Sequence, residues 1–389
     1  MNNQGIFSKK NIASFTLIFM SVQLLGIEGF AISMPKVVYM CMSPILLLLL
    51  SPKTSKAVIL SVLFWGVTFA LNQIQFDNQR TSTFYYTAMF LSVFCLFYNL
   101  VWEEHCYELD DFLKVVEIVI MAYAICLILQ QASMLVGRRY FPLVNLMGMK
   151  WQGLFRLNSL AIEPSHAARV LTAYFYAFLK LLEFKNGKPV SIYDLFLYNH
   201  WTIIAFLYTM IAMGSGTAMV GLGLISLYFM RRQYTMAIVV VAISFYFIAP
   251  SIDYDPFNRA LETFNAAISM DEEEVIEADR SASDRVNMLL ALIKYTDFSD
   301  PQTWLGHGTD SVMTAKGPHT HGAIYNYGLI SYLLKLLLYF SCAIPGILSL
   351  STIMFISLFT MNIGNIAYGF ACLMVFSGVK YFQTVNSKS

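Results

Sequence analysis

Apolar runs of membrane-spanning length alternate with short polar links along most of this chain. A helix needs about 20 apolar residues to cross the hydrocarbon core of a bilayer, and that template fits about 12 times, with some runs short. The predicted spans are 12–33, 37–51, 57–73, 83–101, 112–136, 166–183, 199–213, 217–230, 235–250, 322–343, 345–360 and 362–381. The pattern therefore predicts an all-α, polytopic transmembrane bundle of about 12 helices.

Two pairs of predicted spans are joined by very short links, around Gly214-Ser215-Gly216 and around Pro345-Gly346. Both links are typical of tight turns, so we expect the helices on either side to be antiparallel neighbours. The first apolar run, which starts at Ile12, is too long for a signal peptide and lacks a small-residue cleavage site. We interpret it as an uncleaved first helix.

Lysine and arginine in the short links indicate which side each link faces, because positive charge is retained on the cytoplasmic side of a membrane. With the N-terminus inside, the cytoplasm holds Lys9, Lys10, Lys53, Lys56, Lys185, Lys188, Arg231, Arg232, Lys380 and Lys388. The short external links then keep only Lys36 and Arg80. An even number of spans returns the C-terminus to the cytoplasm.

Two longer segments then lie outside the membrane. They divide the chain into N-terminal helices (1–136), an external loop (137–165), central helices (166–250), a large external loop (251–321) and C-terminal helices (322–389). The large loop carries an acidic run and then an apolar pattern at helical spacing, which Ser283 or Asp284 can cap. It continues into a turn at 304–308. We expect a partly helical external cap over the bundle.

The composition also predicts a membrane protein. Hydrophobic residues make up 57% of the 389 residues and charged residues 13%, whereas a soluble domain carries about 25% charge. A net charge of +1 gives no reason to expect nucleic acid as a partner. The six cysteines show neither a disulfide framework nor a CxxC metal motif.

Glu163, His166 and Arg169 form the first group of candidate functional residues, together with Arg156. If a helix begins near Pro164, a residue that favours the first turn, the three follow at i, i+3 and i+6, close to one face. That face combines a carboxylate, an imidazole and a permanent cation, and ionisable groups at membrane depth are usually functional or paired. We favour binding of an anionic substrate over the alternative, an ion pair that anchors the helix end while Arg169 reaches the interface.

Arg280 and Arg285 form the second group, in the large external loop. A guanidinium presents a planar fork of donors that binds phosphate or carboxylate in bidentate fashion and keeps its charge. For Arg280, neutralisation of the acidic run Asp271 to Asp279 is an equally good interpretation. For Arg285, on the polar face of the predicted short helix, we favour a binding role.

His319 and His321 form the third group, directly before an apolar helix. The unperturbed pKa of histidine lies near neutrality, which suits the imidazole to take a proton from a hydroxyl. Metal binding by the pair has little support, because no third ligand stands at a zinc-like spacing, and we predict no metal.

Weaker candidates lie within or near the spans. Glu28, Glu117 and Lys335 are interpreted as lumen-facing or snorkelling residues. The glycine-rich turn 214–217 offers backbone amides to a phosphate, but a turn is expected there in any case.

The order of these features resembles the bacterial O-antigen polymerase and O-antigen ligase superfamily of polytopic membrane glycosyltransferases. The resemblance is carried by RLNSLAIEPSHAARV (156–170), GSGTAMVGLGL (214–224), SASDRVNMLLALIKYTDFSDPQTWLGHGTDS (281–311) and HTHGAIYNYGLIS (319–331). These short motifs cover about the second two-thirds of the chain loosely.

The resemblance implies a GT-C-like helical fold whose lumen opens to the periplasm under the large loop, in the bacterial inner membrane. It implies a substrate linked to undecaprenyl pyrophosphate and no metal or other cofactor. By position, Arg156 and Arg285 would bind the pyrophosphate, with Arg169 and Arg280 less securely assigned. The family's late motif usually reads His-Asn with a longer gap before its Gly-Leu-Ile. Here it reads His321-Gly322 with a short gap, which leaves both His319 and His321 open as the base.

Within that superfamily we favour a polymerase, which transfers a growing lipid-linked glycan onto a single lipid-linked repeat unit. Membrane lipid and a chain-length regulator protein are the further partners expected. One alternative is a ligase that passes the finished polymer to lipid A core. A second alternative, from a different class, is a non-enzymatic transporter or flippase for the lipid-linked oligosaccharide.

Overall fold

The computed structural model describes residues 8–23, 33–74, 81–137, 157–230, 296–308, 323–346, 349–353 and 367–386. The described part of the chain is all-helical, and it contains no strand. Its helices are α1 (Lys9–Ser21), α2 (Met34–Leu50), α3 (Lys56–Gln73), α4 (Thr81–Trp102), α5 (Leu109–Leu135), α6 (Pro164–Asn186), α7 (Ile192–Tyr198), α8 (His200–Ala212), α9 (Gly216–Phe229), α10 (Pro301–Leu305), α11 (Ala323–Cys342) and α12 (Ala367–Asn386).

Several of these helices have the length and composition of membrane spans. Among the residues described, α3, α4 and α5 are long and apolar enough to cross a bilayer, and α7 with α8 would add a fourth span if that bent pair crosses as one. On α2 and α3 large apolar side chains such as Leu48, Leu49 and Val62 are exposed. Apolar surface of this kind is stable against lipid and costly in water, so the protein associates with a membrane.

The chain divides into two compact units. The first comprises Met1–Met42, Leu100–Asn258 and Ala367–Ser389, and the second comprises Ser43–Asn99 and Arg259–Ile366.

In the first unit α6 is the central helix, in contact with α5, α8, α9 and α12. Its residues from Ala167 to Leu179 are all buried, as expected for a helix surrounded by others. Phe175 stacks on Phe206 of α8 with ring centroids 3.9 Å apart. The helix ends at Gly187, whose φ of 66° is the left-handed conformation that commonly terminates helices.

In the second unit polar side chains join helices that are otherwise apolar. The indole of Trp65 in α3 donates to the carbonyl of Phe84 in α4 at 3.0 Å. The amide of Asn99 donates to the backbone carbonyls of Ser51 at 3.1 Å and Lys53 at 2.8 Å. Such hydrogen bonds are typical of helix contacts in membrane proteins. Elsewhere in this unit α11 packs on α3 and on the short helix α10.

The predicted first span, 12–33, is wrong in its extent. Helix α1 ends at Ser21, and the next residue, Val22, is extended with ψ of 145°. The side chains of Tyr123 and Lys36 bind the last carbonyls of α1, and the helix stops inside an apolar run.

Two further features differ from the predicted pattern. The link before the predicted span 199–213 contains helix α7, which meets α8 at an angle of 106°. Helix α11 is interrupted at Gly328, where φ is 78° and ψ is 161°. The predicted span 235–250 and the acidic part of the large loop lie outside the described residues.

The predicted turns are confirmed where the structure describes them. Gly214 has φ of 55° and connects α8 to α9. In the predicted turn at 304–308, α10 ends at Leu305, and Gly306 and Gly308 both have positive φ.

Candidate functional site

The chain enters α6 through a buried turn. Leu157, Asn158 and Ser159 are fully buried. The side-chain amide of Asn158 donates to the carbonyls of Ala161 at 2.9 Å and Ile162 at 3.3 Å. The N–H of Ala161 in turn donates to the carbonyl of Asn158 at 3.1 Å. These hydrogen bonds satisfy part of the backbone of the turn from within, which reduces the cost of burying it in an apolar bundle.

Gln130 of α5 holds this turn from the side. Its Oε1 accepts from the N–H of Ser159 at 2.9 Å, and its Nε2 donates to the carbonyl of the same residue at 3.1 Å. Ser159 has φ of 49°, and its hydroxyl donates to the carbonyl of Tyr123 at 2.6 Å. Both backbone groups and the side chain of Ser159 therefore bond to α5, which fixes the point from which α6 starts.

The end of α1 bonds to the same region. The N–H of Gln23 donates to the carbonyl of Leu160 at 2.6 Å. The hydroxyl of Tyr123 donates to the carbonyl of Ser21 at 2.6 Å, and the Ser21 hydroxyl bonds to the hydroxyl of Tyr174 in α6. Helices α1, α5 and α6 thus share one network of buried hydrogen bonds.

Lys36 of α2 takes part in that network. Its Nζ donates to the carbonyl of Met20 at 3.1 Å and to Oε1 of Gln23 at 3.4 Å, and the side chain is 2% exposed. A cation at a helix C-terminus is stabilised by the helix dipole. The charge pattern predicted Lys36 in a short external link, whereas it is buried in the first turn of α2. In the sequence, the position of Lys36 next to an apolar run was the one indication that its side chain is buried, and the sequence did not show which groups it binds.

Helix α6 begins as predicted. Glu163 is the N-cap, Pro164 occupies the first turn, and the Glu163 carbonyl accepts from the N–H groups of His166 and Ala167, both at 3.1 Å. Glu163, His166 and Arg169 therefore follow at helical spacing, as the sequence predicted.

The three candidate side chains differ in burial. Glu163 and His166 are half-buried, whereas Arg169 is 8% exposed. Arg169 is close enough to Cys372 of α12 to interact with it electrostatically. Arg169 is thus a buried cation in the second turn of α6, a helix that packs against α12.

The electrostatics of this helix start favour an anion. The N-terminus of a helix carries partial positive charge. At this start Pro164 has no N–H and the N–H of His166 bonds to the Glu163 carbonyl, so charge rather than free backbone donors favours the anion. Arg169 adds a permanent positive charge. Glu163 supplies a carboxylate at this start, a group that can orient a hydroxyl or an imidazole.

The other predicted site residues cannot be placed in the same way. Five of them lie outside the described residues: Arg156, Arg280, Arg285, His319 and His321. Of the weaker candidates, Lys335 is buried in α11 with its Nζ 5.2 Å from the ring centroid of Tyr339. Glu117 is half-buried in α5, and Glu28 lies outside the described residues.

Sequence reasoning missed the residues that support the start of α6. Gln130, Asn158 and Ser159 are polar residues within apolar runs, and such residues often join helices by hydrogen bonds in membrane proteins. That pattern was the available signal.

No group of three or more His, Cys, Asp or Glu side chains suited to a metal ion occurs in the part of the chain that the structure describes. Comparison of the chain with protein-family models, with characterised proteins and with solved structures gives no match.

Proposed function

We propose that this protein is an O-antigen, or surface polysaccharide, polymerase of the bacterial inner membrane. In the reaction, a hydroxyl of a lipid-linked repeat unit attacks the anomeric carbon of a growing glycan carried on undecaprenyl pyrophosphate. The new glycosidic bond forms with inversion as the bond from the anomeric carbon to the diphosphate oxygen breaks. Undecaprenyl pyrophosphate leaves, and a histidine takes the hydroxyl proton.

The observation that carries this proposal is the buried Arg169 at the start of α6, on a helix whose entry is fixed by hydrogen bonds to α5. A buried cation in a membrane protein is costly and is therefore usually functional or paired. The start of a helix and a guanidinium fork both suit the oxygens of a diphosphate. Fixed donors of this kind stabilise the negative charge that develops on a departing diphosphate, without reorganisation during the reaction.

The remaining roles rest on the sequence. Arg156, Arg280 and Arg285 are the further pyrophosphate ligands, and His321 or else His319 is the base. In this proposal Glu163 orients the histidine or the acceptor sugar. The reaction needs no metal, because a diphosphate is a good leaving group once its charge is stabilised.

The finer architecture belongs to the same proposal. It comprises about 12 spans in a GT-C-like bundle, with both termini in the cytoplasm. The loop 251–321 forms a partly helical cap on the periplasmic side. The positive-inside distribution of lysine and arginine supports this orientation.

One observation favours the transporter alternative. Helix α11 is interrupted at Gly328, and discontinuous helices are common at the substrate sites of transporters. An exporter of lipid-linked oligosaccharide and a polymerase differ in one measurable respect, since only the polymerase joins repeat units.

The test uses surface polysaccharide from a strain that lacks this gene and is complemented with variants. Arg285→Ala, His321→Ala and Arg169→Met are each expected to remove long-chain polysaccharide while the single-repeat lipid intermediate accumulates. Arg169→Lys is expected to recover little, because an ammonium is a point charge without the bidentate fork. Full-length polymer with both Arg285→Ala and His321→Ala would refute the assignment. Unlinked polymer in the deletion strain would indicate the ligase.

A matched control stands on the same helix. Lys180, also in α6, forms a partly exposed ion pair with Glu183 at 2.9 Å, and such pairs contribute little. Lys180→Met is therefore expected to keep full-length polymer. Loss of polymer in this variant as well would mean that any lost charge on α6 has the same effect.

A further inference from the structure

The interruption of α11 is a close contact between two backbone segments, Gly306–Gly308 and Tyr325–Gly328, here called the glycine contact. Gly306 and Gly328 have φ of 87° and 78°. A Cβ on Gly306 would stand 2.6 Å from the Asn326 carbonyl oxygen and from the Gly328 nitrogen, and a Cβ on Gly328 would overlap the Trp304 carbonyl. Only glycine permits this approach on both sides.

Hydrogen bonds hold the glycine contact together. The N–H of His307 donates to the carbonyl of Tyr325 at 2.9 Å, and the N–H of Gly308 donates to the carbonyl of Asn326 at 3.0 Å. In an uninterrupted helix these two carbonyls would accept from residues 329 and 330. At the interruption, the segment after α10 supplies donors to them instead.

The His307 imidazole adds a side-chain interaction to the same carbonyl. Its ring lies parallel to the ring of Tyr325, with centroids 3.8 Å apart and planes 5° apart. Its Nδ1 is 3.1 Å from the Tyr325 carbonyl oxygen. Because a carbonyl oxygen only accepts, Nδ1 carries the proton in this hydrogen bond. Ring stacking and two donors on one acceptor fix both the imidazole and the first turn of α11.

We propose that His307 is a positioning residue that fixes the first turn of α11 for the transfer reaction. The inference rests on the proposed function, in which His321 or His319 is the base. Helix α11 begins at Ala323, directly after those histidines in the sequence, and the glycine contact holds it at residues 325 and 326. A displacement of about 1 Å in a reacting group can lower a rate by about 100-fold, so a rigid start of α11 has a direct kinetic value.

The glycine contact itself is tested by cross-linking. All six native cysteines are free thiols, so they are first replaced by serine. His307→Cys combined with Tyr325→Cys is expected to form an intramolecular disulfide on mild oxidation, detected by mass spectrometry. The matched control combines His307→Cys with Tyr332→Cys, two turns further along α11, and should give little cross-link. Equal cross-linking in both pairs, or none in the first, would overturn the geometry.

The role of His307 is tested by the rate of elongation of an undecaprenyl-pyrophosphate-linked repeat by the purified full-length protein. His307→Ala is expected to lower kcat by about 100-fold with an unchanged KM for the repeat. The side-chain amide nitrogen of asparagine can replace Nδ1 as donor, whereas that of glutamine lies at the place of Nε2. His307→Asn should therefore recover most of the rate and His307→Gln should not.

The positioning role would be overturned if kcat were unchanged in His307→Ala, His307→Asn and His307→Gln, or if only KM changed. It would also be overturned if His307→Gln recovered the rate and His307→Asn did not, because that result would mean that Nε2 does the chemistry. Gly306→Ala should lower kcat as His307→Ala does. Gly346→Ala, where an added Cβ meets no atom of the described residues within 4 Å, should leave kcat unchanged.

The two proposals fail in different ways. If the wild-type protein does not elongate the repeat, the proposed function is wrong, while the cross-linking result still decides whether the glycine contact exists. If the wild type elongates and His307→Ala is fully active, the positioning role alone is wrong.

Discussion

Gln130 provides the sharpest test of the hydrogen-bonded turn that precedes α6. The side chain is fully buried, and it bonds to both backbone groups of Ser159. Gln130→Met keeps the length of the side chain and removes its donor and acceptor. The N–H and the carbonyl of Ser159 then lose these partners in an apolar environment, and Ser159 must still hold its φ of 49°.

The magnitude follows from the number of groups that lose a partner. Leaving one buried polar group unsatisfied costs about 1–3 kcal/mol, so two such groups cost about 2–6 kcal/mol. Interhelical hydrogen bonds within membranes average about 0.6 kcal/mol each, because the unfolded chain in a micelle also finds partners. We therefore expect Gln130→Met to lower the free energy of unfolding by about 2 kcal/mol, the low end of the first range. This is about a 30-fold change in the unfolding equilibrium constant.

The assay is the free energy of unfolding, measured by titration of SDS into detergent micelles that contain the purified protein. Gln131 on the same helix is the matched control, since its side chain is half-buried and accepts one hydrogen bond from the Tyr208 hydroxyl. Gln131→Met should cost about 0.5–1.5 kcal/mol. If Gln130→Met lowers the free energy of unfolding by less than about 0.5 kcal/mol, or by no more than Gln131→Met does, then Gln130 does not hold the turn as described.

Two further predictions concern other parts of the first unit. Gly378 of α12 faces the ring of Phe112, where an added Cβ would stand 2.6 Å from Cε1, so Gly378→Ala should lower stability by about 1–3 kcal/mol. In the same assay Gly223→Ala in α9, where no atom in the described part of the chain lies within 4 Å of an added Cβ, should be neutral or up to about 1 kcal/mol stabilising. The opposite order of the two variants would contradict the packing. In the link between α4 and α5, burial raises the pKa of the Cys106 thiol to about 12. Alkylation needs the thiolate, so its rate at pH 8 should be about 1000-fold below that of an ordinary thiol and should rise up to about pH 12. Mass spectrometry of the labelled peptide measures this rate, and a plateau near pH 9 would show that the thiol is not perturbed.

The sequence predicted most of the described helices because their lengths follow from the bilayer. For α3, α4 and α5 the predicted and observed ends agree within three residues. Apolar length and polar flanks are local properties of the chain, and hydrocarbon thickness converts them into helix length.

The end of α1 could not be predicted, because residues distant in the sequence determine it. The apolar run continues after Ser21, but Tyr123 and Lys36 bind the carbonyls of Ser21 and Met20. The break at Gly328 has a similar origin, since the donors that replace the helical hydrogen bonds come from His307 and Gly308. In both cases the sequence showed which residues are apolar, but it did not show which residues elsewhere in the chain would bond to the backbone there.

The candidate site was predicted in part. The start of α6 followed from Pro164 and from the spacing of Glu163, His166 and Arg169. The burial of Arg169 did not, because it depends on how the neighbouring helices α5, α8, α9 and α12 pack around α6. Gln130 was likewise visible only as a polar residue in an apolar helix.

Elongation by the purified protein is the decisive measurement of polymerase activity. The protein in detergent is mixed with an undecaprenyl-pyrophosphate-linked repeat unit, and the products are separated on a gel while released undecaprenyl pyrophosphate is measured. The proposed polymerase activity should give a ladder of lengthened glycans, one undecaprenyl pyrophosphate released per bond formed, and loss of both with Arg285→Lys and Arg169→Met. Folded wild-type protein that forms no ladder and releases no undecaprenyl pyrophosphate would contradict it.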